Sequence, residues 1–180
     1  MAYESSVLAS EKRILVPTAP AGLFFDFAFP AYGKCQGHNP QEKARLGRMY
    51  LAGESPSMQE LAELFPVGVL SLRYFAGNPY MSLEDITLQH VADYVLHGHN
   101  QMIDSGKMRV HRFSQRGDRD FCRVRQARVF QKVVPAPQLM VKYDDSDIVK
   151  FVKSHRTPDA SSGDYVHTHR GYTLIIPDIS

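Results

Sequence analysis

Residues 109–129 read RVHRFSQRGDRDFCRVRQARV, and seven of these 21 positions are arginine. Just before and within this stretch, Met108 and Val110 alternate with Lys107, Arg109 and His111. Further on, Cys122 and Val124 alternate with Arg123 and Arg125. A period of two is the mark of strands buried on one face. The polar run Ser114–Asp120, with Gly117-Asp118 at its centre, predicts a hairpin whose loop is longer than the tight two-residue kind. Pairing the two strands sets Arg109, His111, Arg123 and Arg125 on one face and turns Met108, Val110, Cys122 and Val124 to the core. At Gln126 the alternation slips, because Ala127 and Val129 take the phase that Arg123 and Arg125 held. Such a slip requires a bulge or a strand break, and a bulge returns Arg128 and Lys132 to the cationic face. The triplet Arg116-Gly117-Asp118 matches an adhesion motif only by its three letters, and a turn explains it.

Charge is concentrated in the same place. Residues 107–132 hold nine Lys or Arg (Lys107, Arg109, Arg112, Arg116, Arg119, Arg123, Arg125, Arg128, Lys132) against Asp118 and Asp120, a local charge of +7. The whole chain carries +2, so the remainder carries −5. That asymmetry points to an anionic partner or to an acidic surface on a neighbouring copy. The 180 residues, 43% hydrophobic and 22% charged, are ordinary for a globular chain with a sizeable core. The longest apolar runs, such as LFF and FPVGVL, are far shorter than a membrane helix requires. The start, MAYESSVLASEKRIL, lacks the basic-then-apolar order of a secretory signal, and two cysteines without metal-ligand spacing fit a reducing compartment. A cytoplasmic location, with no membrane partner, is the expectation.

Elsewhere the elements follow from caps and periodicity. Residues 1–11 read as a loosely ordered segment and 12–180 as a single α+β domain. Lys12–Pro17 and Gly22–Pro30 read as strands joined by a turn. Asn39-Pro40-Gln41-Glu42 starts a helix that stops at Gly53, and Ser57-Met58-Gln59-Glu60 starts another that ends at Pro66. Val67–Phe75 fits either a strand or a buried helix. Ser82–Asp85 opens a helix to about His97, with Leu88, Val91, Ala92 and Val95 on one stripe. Leu139–Tyr143 and Tyr172–Ile176 read as strands and Asp144–His155 as a helix. The sum is a mainly antiparallel sheet, including the basic hairpin of the C-terminal half, with about four helices.

Two functional classes compete. The first is a non-enzymatic or structural component that binds RNA, DNA or another polyanion through Lys107, Arg109, His111, Arg112, Arg116, Arg119, Arg123, Arg125, Arg128 and Lys132. Arginine forks suit phosphate oxygens, and Phe113 and Phe130 lie close enough to stack on unpaired bases. The second is a histidine-dependent phosphodiesterase or metal-dependent hydrolase. In DYVHTHRGY a strand would place His167 and His169 on one side, and His97 and His99 supply further nitrogen ligands. A self-assembling shell or matrix protein, with the +7 ribbon against the −5 remainder of another copy, is a third class. No P-loop, GxGxxG or GxSxG pattern calls for a cofactor. The acids of YDDSD read as the N-terminal acids of a helix rather than as a cation site.

Overall fold

The computed structural model describes residues 16–33, 39–105 and 120–178. The strand, turn and cations expected at 107–119 therefore lie outside the described residues, as does the segment 1–15. The described chain is a layer of six α-helices followed by five strands that close into a small barrel.

Proline and cap chemistry set the helical layer. Helix α1 (Pro20–Ala28) has proline in its first turn, and every residue from Leu23 to Ala28 is buried. A strand was expected here because of the aromatic content. Burial on all sides removes both the alternation and the one-sided stripe that would have distinguished the two. Helix α2 (Pro40–Ala52) begins where the sequence predicts: the Asn39 side chain accepts from the Gln41 and Glu42 amides, and Gly53 closes the helix in the left-handed conformation. Helix α3 (Met58–Leu64) is capped by Ser57, whose hydroxyl accepts from the Glu60 amide. The Glu60 carboxylate does not return the cap but pairs with Arg45 of α2. Val67–Phe75 resolves as helical, within α4 (Pro66–Phe75).

The predicted helix at Ser82 starts later and runs further. Ser82 and Asp85 close only a turn, with the Ser82 hydroxyl 2.6 Å from Asp85. Thr87 caps α5 (Leu88–Asp93) in a reciprocal box, because His90 Nδ1 accepts from the Thr87 amide at 3.2 Å. Gly98 does not end the helix. The chain widens into a π-helical turn over Tyr94–Gly98 and continues as α6 (His99–Ser105). A Cβ on Gly98 would lie 2.5 Å from the Phe75 ring, so glycine permits the close approach of α4.

The barrel comprises β1 (Arg125–Val133), β2 (Gln138–Tyr143), β3 (Val149–Lys153), β4 (Tyr165–His169) and β5 (Tyr172–Leu174), in the spatial order β1-β2-β3-β5-β4. All pairs are antiparallel except β3 with β5. The helix expected over Asp144–His155 is replaced by β3. Its supposed N-terminal acids instead meet cations: Asp147 lies 2.7 Å from the Lys142 ammonium and Asp145 3.6 Å from Arg125. Ala127, Val129, Leu139, Val141, Val152 and Val166 fill the barrel, a set small enough for its narrow interior.

A polar seam joins the two layers. Asp26 of α1 and Arg156, just past β3, form an ion pair with both side chains almost fully buried. His169 Nδ1 donates to the Phe27 carbonyl at 2.8 Å, and His99 Nε2 donates to the Cys122 carbonyl at 2.9 Å. The Asn100 amide brackets Val124, donating to its carbonyl at 2.8 Å and accepting from its amide at 3.0 Å. Substituting Gly98→Ala should cost about 1–3 kcal/mol by driving a methyl group into Phe75. Chemical denaturation of the variant measures it, and an unchanged midpoint would show that α4 can shift aside freely.

Candidate nucleic-acid interface

Backbone register decides which cations share a surface. Strand β1 begins at Arg125, so the Cys122–Arg125 alternation is not a strand. It arises because Val124 packs into the helical core, its backbone held by Asn100, while Cys122 is buried with its sulfur accepting from Arg170. The slip at Gln126 thus reflects the start of β1 at Arg125, with regular pairing through Gln126, and the bulge of β1 falls later, between Val129 and Gln131.

Two of the predicted cations are consequently occupied. Arg123 pairs with Asp104 and lies 3.7 Å from Asp120. Arg125 is mostly buried beside Asp145, with its guanidinium 5.0 Å from the Tyr143 ring centre. Because Arg125 shares the inward phase of Ala127, it does not lie on the face of Arg128. Lys132 is exposed, and its ammonium donates to the Pro158 carbonyl. Arg128 projects outward, exposed, with no ion pair among the described residues. Lys107, Arg109, His111, Arg112, Arg116 and Arg119 lie outside the described residues.

Around Arg128 the barrel assembles a surface that the sequence reading did not anticipate. Tyr165, Arg128, Lys142 and Val149 are neighbours across β4, β1, β2 and β3. The next row is Gln131, Met140 and Phe151, with Phe130 exposed at the bulge. A third row carries Gln138, Lys153 and Tyr172; the Lys153 ammonium donates to the Tyr172 hydroxyl at 2.9 Å and sits over its ring. Phe130, Phe151 and Tyr165 are 49%, 65% and 58% exposed, unusually open for large rings on one face. Phe151 and Lys153 were missed because 144–155 was read as a helix. The available signal was VKFVK, rich in β-branched and aromatic residues and bounded by turn residues on both sides.

The histidines separate rather than converge. His167 and His169 do lie on one side of β4, as predicted, but that side changes environment along the strand. His167 is half-buried opposite Gln126, and burial lowers its basicity. His169 is buried beneath α1, stacked on Phe27 at 4.5 Å. His99 comes within 5.2 Å of the His169 ring, whereas His97 is exposed on the π turn. The four are not gathered into one site, and among the described residues no three His, Cys, Asp or Glu are placed to hold a metal ion. The Tyr94 hydroxyl lies 3.3 Å from His99 Nδ1, which completes a structural role for that imidazole.

No known family, curated protein or solved structure matches this chain. No helix among the described residues is long and apolar enough to cross a membrane.

The seam histidine has a measurable consequence. Burial holds the His169 imidazole well below its ordinary pKa of 6.5, with His99 adding to the effect. The unfolded chain therefore takes up a proton that the folded chain refuses, and stability falls as pH drops below 6.5. Burial raises the Asp26 carboxyl to about 6, with Arg156 opposing, so this group acts in the opposite direction as pH falls through 6. A His169→Gln variant isolates the first effect. Its unfolding free energy should lose about 1.4 kcal/mol less than the parent between pH 7.5 and 5.5. Parallel pH profiles for parent and variant would refute this assignment.

Proposed function

We propose that the protein binds single-stranded nucleic acid on the outer face of β1, β2 and β3. The observation that carries this reading is the register that interleaves exposed Phe130, Phe151 and Tyr165 with Arg128, Lys142 and Lys153. Aromatic rings offer stacking platforms for unpaired bases, and the cations between them track the phosphates. Stacking requires bases free of a duplex, so single strands suit this face better than double strands. The barrel layout supports the same reading by likeness. Five strands close into a small barrel, as in the five-stranded barrels whose β2–β3 face binds oligonucleotides or oligosaccharides. Likeness of layout carries no function alone, so the weight rests on the side chains.

The binding surface thus moves from the ribbon at 107–132 toward β2 and β3, retaining Arg128 and Lys132 at its margin. Lys142 is shared with the fully exposed Asp147, an arrangement that leaves its ammonium in water and able to exchange that partner for a phosphate. The role remains one of binding: the face presents stacking and charge.

Fluorescence anisotropy with a dye-labelled single-stranded oligonucleotide, and with its duplex, tests the proposal. Three engaged cations imply that affinity falls roughly tenfold or more between about 50 and 200 mM salt. Phe151→Ala should weaken binding by about 1–3 kcal/mol with little change in salt slope. Arg128→Glu should flatten the slope. No binding at low salt, or undiminished binding by both variants, would end the proposal.

A further inference from the structure

The turn between β2 and β3, Asp144-Asp145-Ser146-Asp147-Ile148, carries three carboxylates and borders the outer face of those strands. Its backbone is held at both ends. The Tyr143 amide donates to the Ile148 carbonyl at 3.3 Å and closes the turn. The Asp144 amide donates to the Gln126 carbonyl at 3.2 Å and ties the turn to β1. Asp145 adds a third anchor, 3.6 Å from Arg125. The position of Asp147 therefore follows from the fold of the turn as well as from its own ion pair.

The acids of this turn do different things. Asp145 meets Arg125, which shares the inward phase of Ala127 and is absent from the outer face. Asp147 is 99% exposed, and its carboxylate lies 2.7 Å from the Lys142 ammonium. Lys142 stands between Arg128 and Val149 in the register of the outer face. A carboxylate oxygen at that distance makes the same charge-assisted contact that a phosphate oxygen would make. The cations of the face are thus unequal. Arg128 has no ion pair among the described residues, and Lys153 donates to the neutral Tyr172 hydroxyl. Lys142 alone of the three is met by a full negative charge.

An exposed pair of this kind contributes little to stability. Its place on the face gives it another use. We propose that Asp147 is a built-in competitor for phosphate at Lys142, so that the β2–β3 turn limits the affinity of the face from within the chain. The inference rests on the reading of β1, β2 and β3 as a surface for single strands. An arriving phosphate must displace the Asp147 carboxylate, and the anchored turn keeps that carboxylate close enough to repel the phosphate afterwards. Lys142 holds the Asp147 carboxyl below its ordinary range, so the competitor stays charged at neutral pH and through mild acid. A bare polyanion meets this opposition with no compensating contact. A single strand also gains stacking on Phe130, Phe151 and Tyr165, which the turn does not oppose.

A double-mutant cycle over Asp147→Asn and Lys142→Gln tests the inference, read by fluorescence anisotropy with a dye-labelled single-stranded oligonucleotide. At about 50 mM salt, Asp147→Asn should tighten binding about two- to fivefold, the scale of an exposed ion pair, and the gain should shrink as added salt screens it. Lys142→Gln should weaken binding, and in that background Asp147→Asn should give less than half of its gain. Unchanged or weaker binding by Asp147→Asn, or an equal gain with and without Lys142, would overturn the inference while leaving the surface reading in place. Absence of binding by the parent and by Asp147→Asn alike would end both.

Discussion

The Asp26–Arg156 pair and the His169 and His99 contacts orient two cores against each other, with Leu174 and Tyr172 of β5 packed on the helical one. One core is aromatic and helical, built around Leu23, Phe24, Phe25 and Tyr50, and the other is the aliphatic filling of the barrel. Six small residues make a thin core, and a barrel of that size gains stability by docking onto a larger layer. The docking surface combines that apolar packing of β5 with polar contacts whose geometry is directional. His169 bonded to the Phe27 carbonyl fixes α1 against β4, and the Arg156 guanidinium over the Tyr50 ring fixes α2 against the segment after β3, in a way that apolar contact would not.

That directionality also explains the behaviour of the histidines. Along β4 one outward face passes from solvent at Tyr165, through partial cover at His167, to full burial at His169. Side chains two residues apart thus share a face without sharing chemistry. A strand pattern read from sequence gives the face but not what is laid over it.

Where local signals were self-contained, the sequence was informative. Asn39, Gly53 and Ser57 mark helix ends through backbone hydrogen bonds made within a few residues, and α2 and α3 start where those signals lie. Where tertiary context decided the outcome, the sequence misled. Phe24, Phe25 and Phe27 have high strand propensity, yet α1 is buried on all sides and its conformation is set by packing. The acids before β3 resemble a helix cap until Lys142 and Arg125 are brought across from neighbouring strands. The slip at Gln126 was legible, but neither a bulge nor a break stands there: β1 begins at Arg125, and the Asn100 side chain holds the Val124 backbone in a contact across 24 positions. The candidate surface was half legible for the same reason. Arg128 and Phe130 stand in the basic stretch, while Phe151 and Tyr165 join them only through strand pairing.

Closure of the barrel has one further consequence. Each of its five strands is paired on both sides, because β1 meets β4 as well as β2 and β5 bridges β3 to β4. Closure removes most of the free backbone edge; what is left lies along β3, where Lys153 meets β5 and residues 149–152 have no second strand partner among the described residues. That short edge carries exposed Lys150, a charge that discourages a strand of another molecule from adding to it. Association through side-chain surfaces saturates at a defined geometry and responds to salt, whereas edge-to-edge addition propagates indefinitely into fibres.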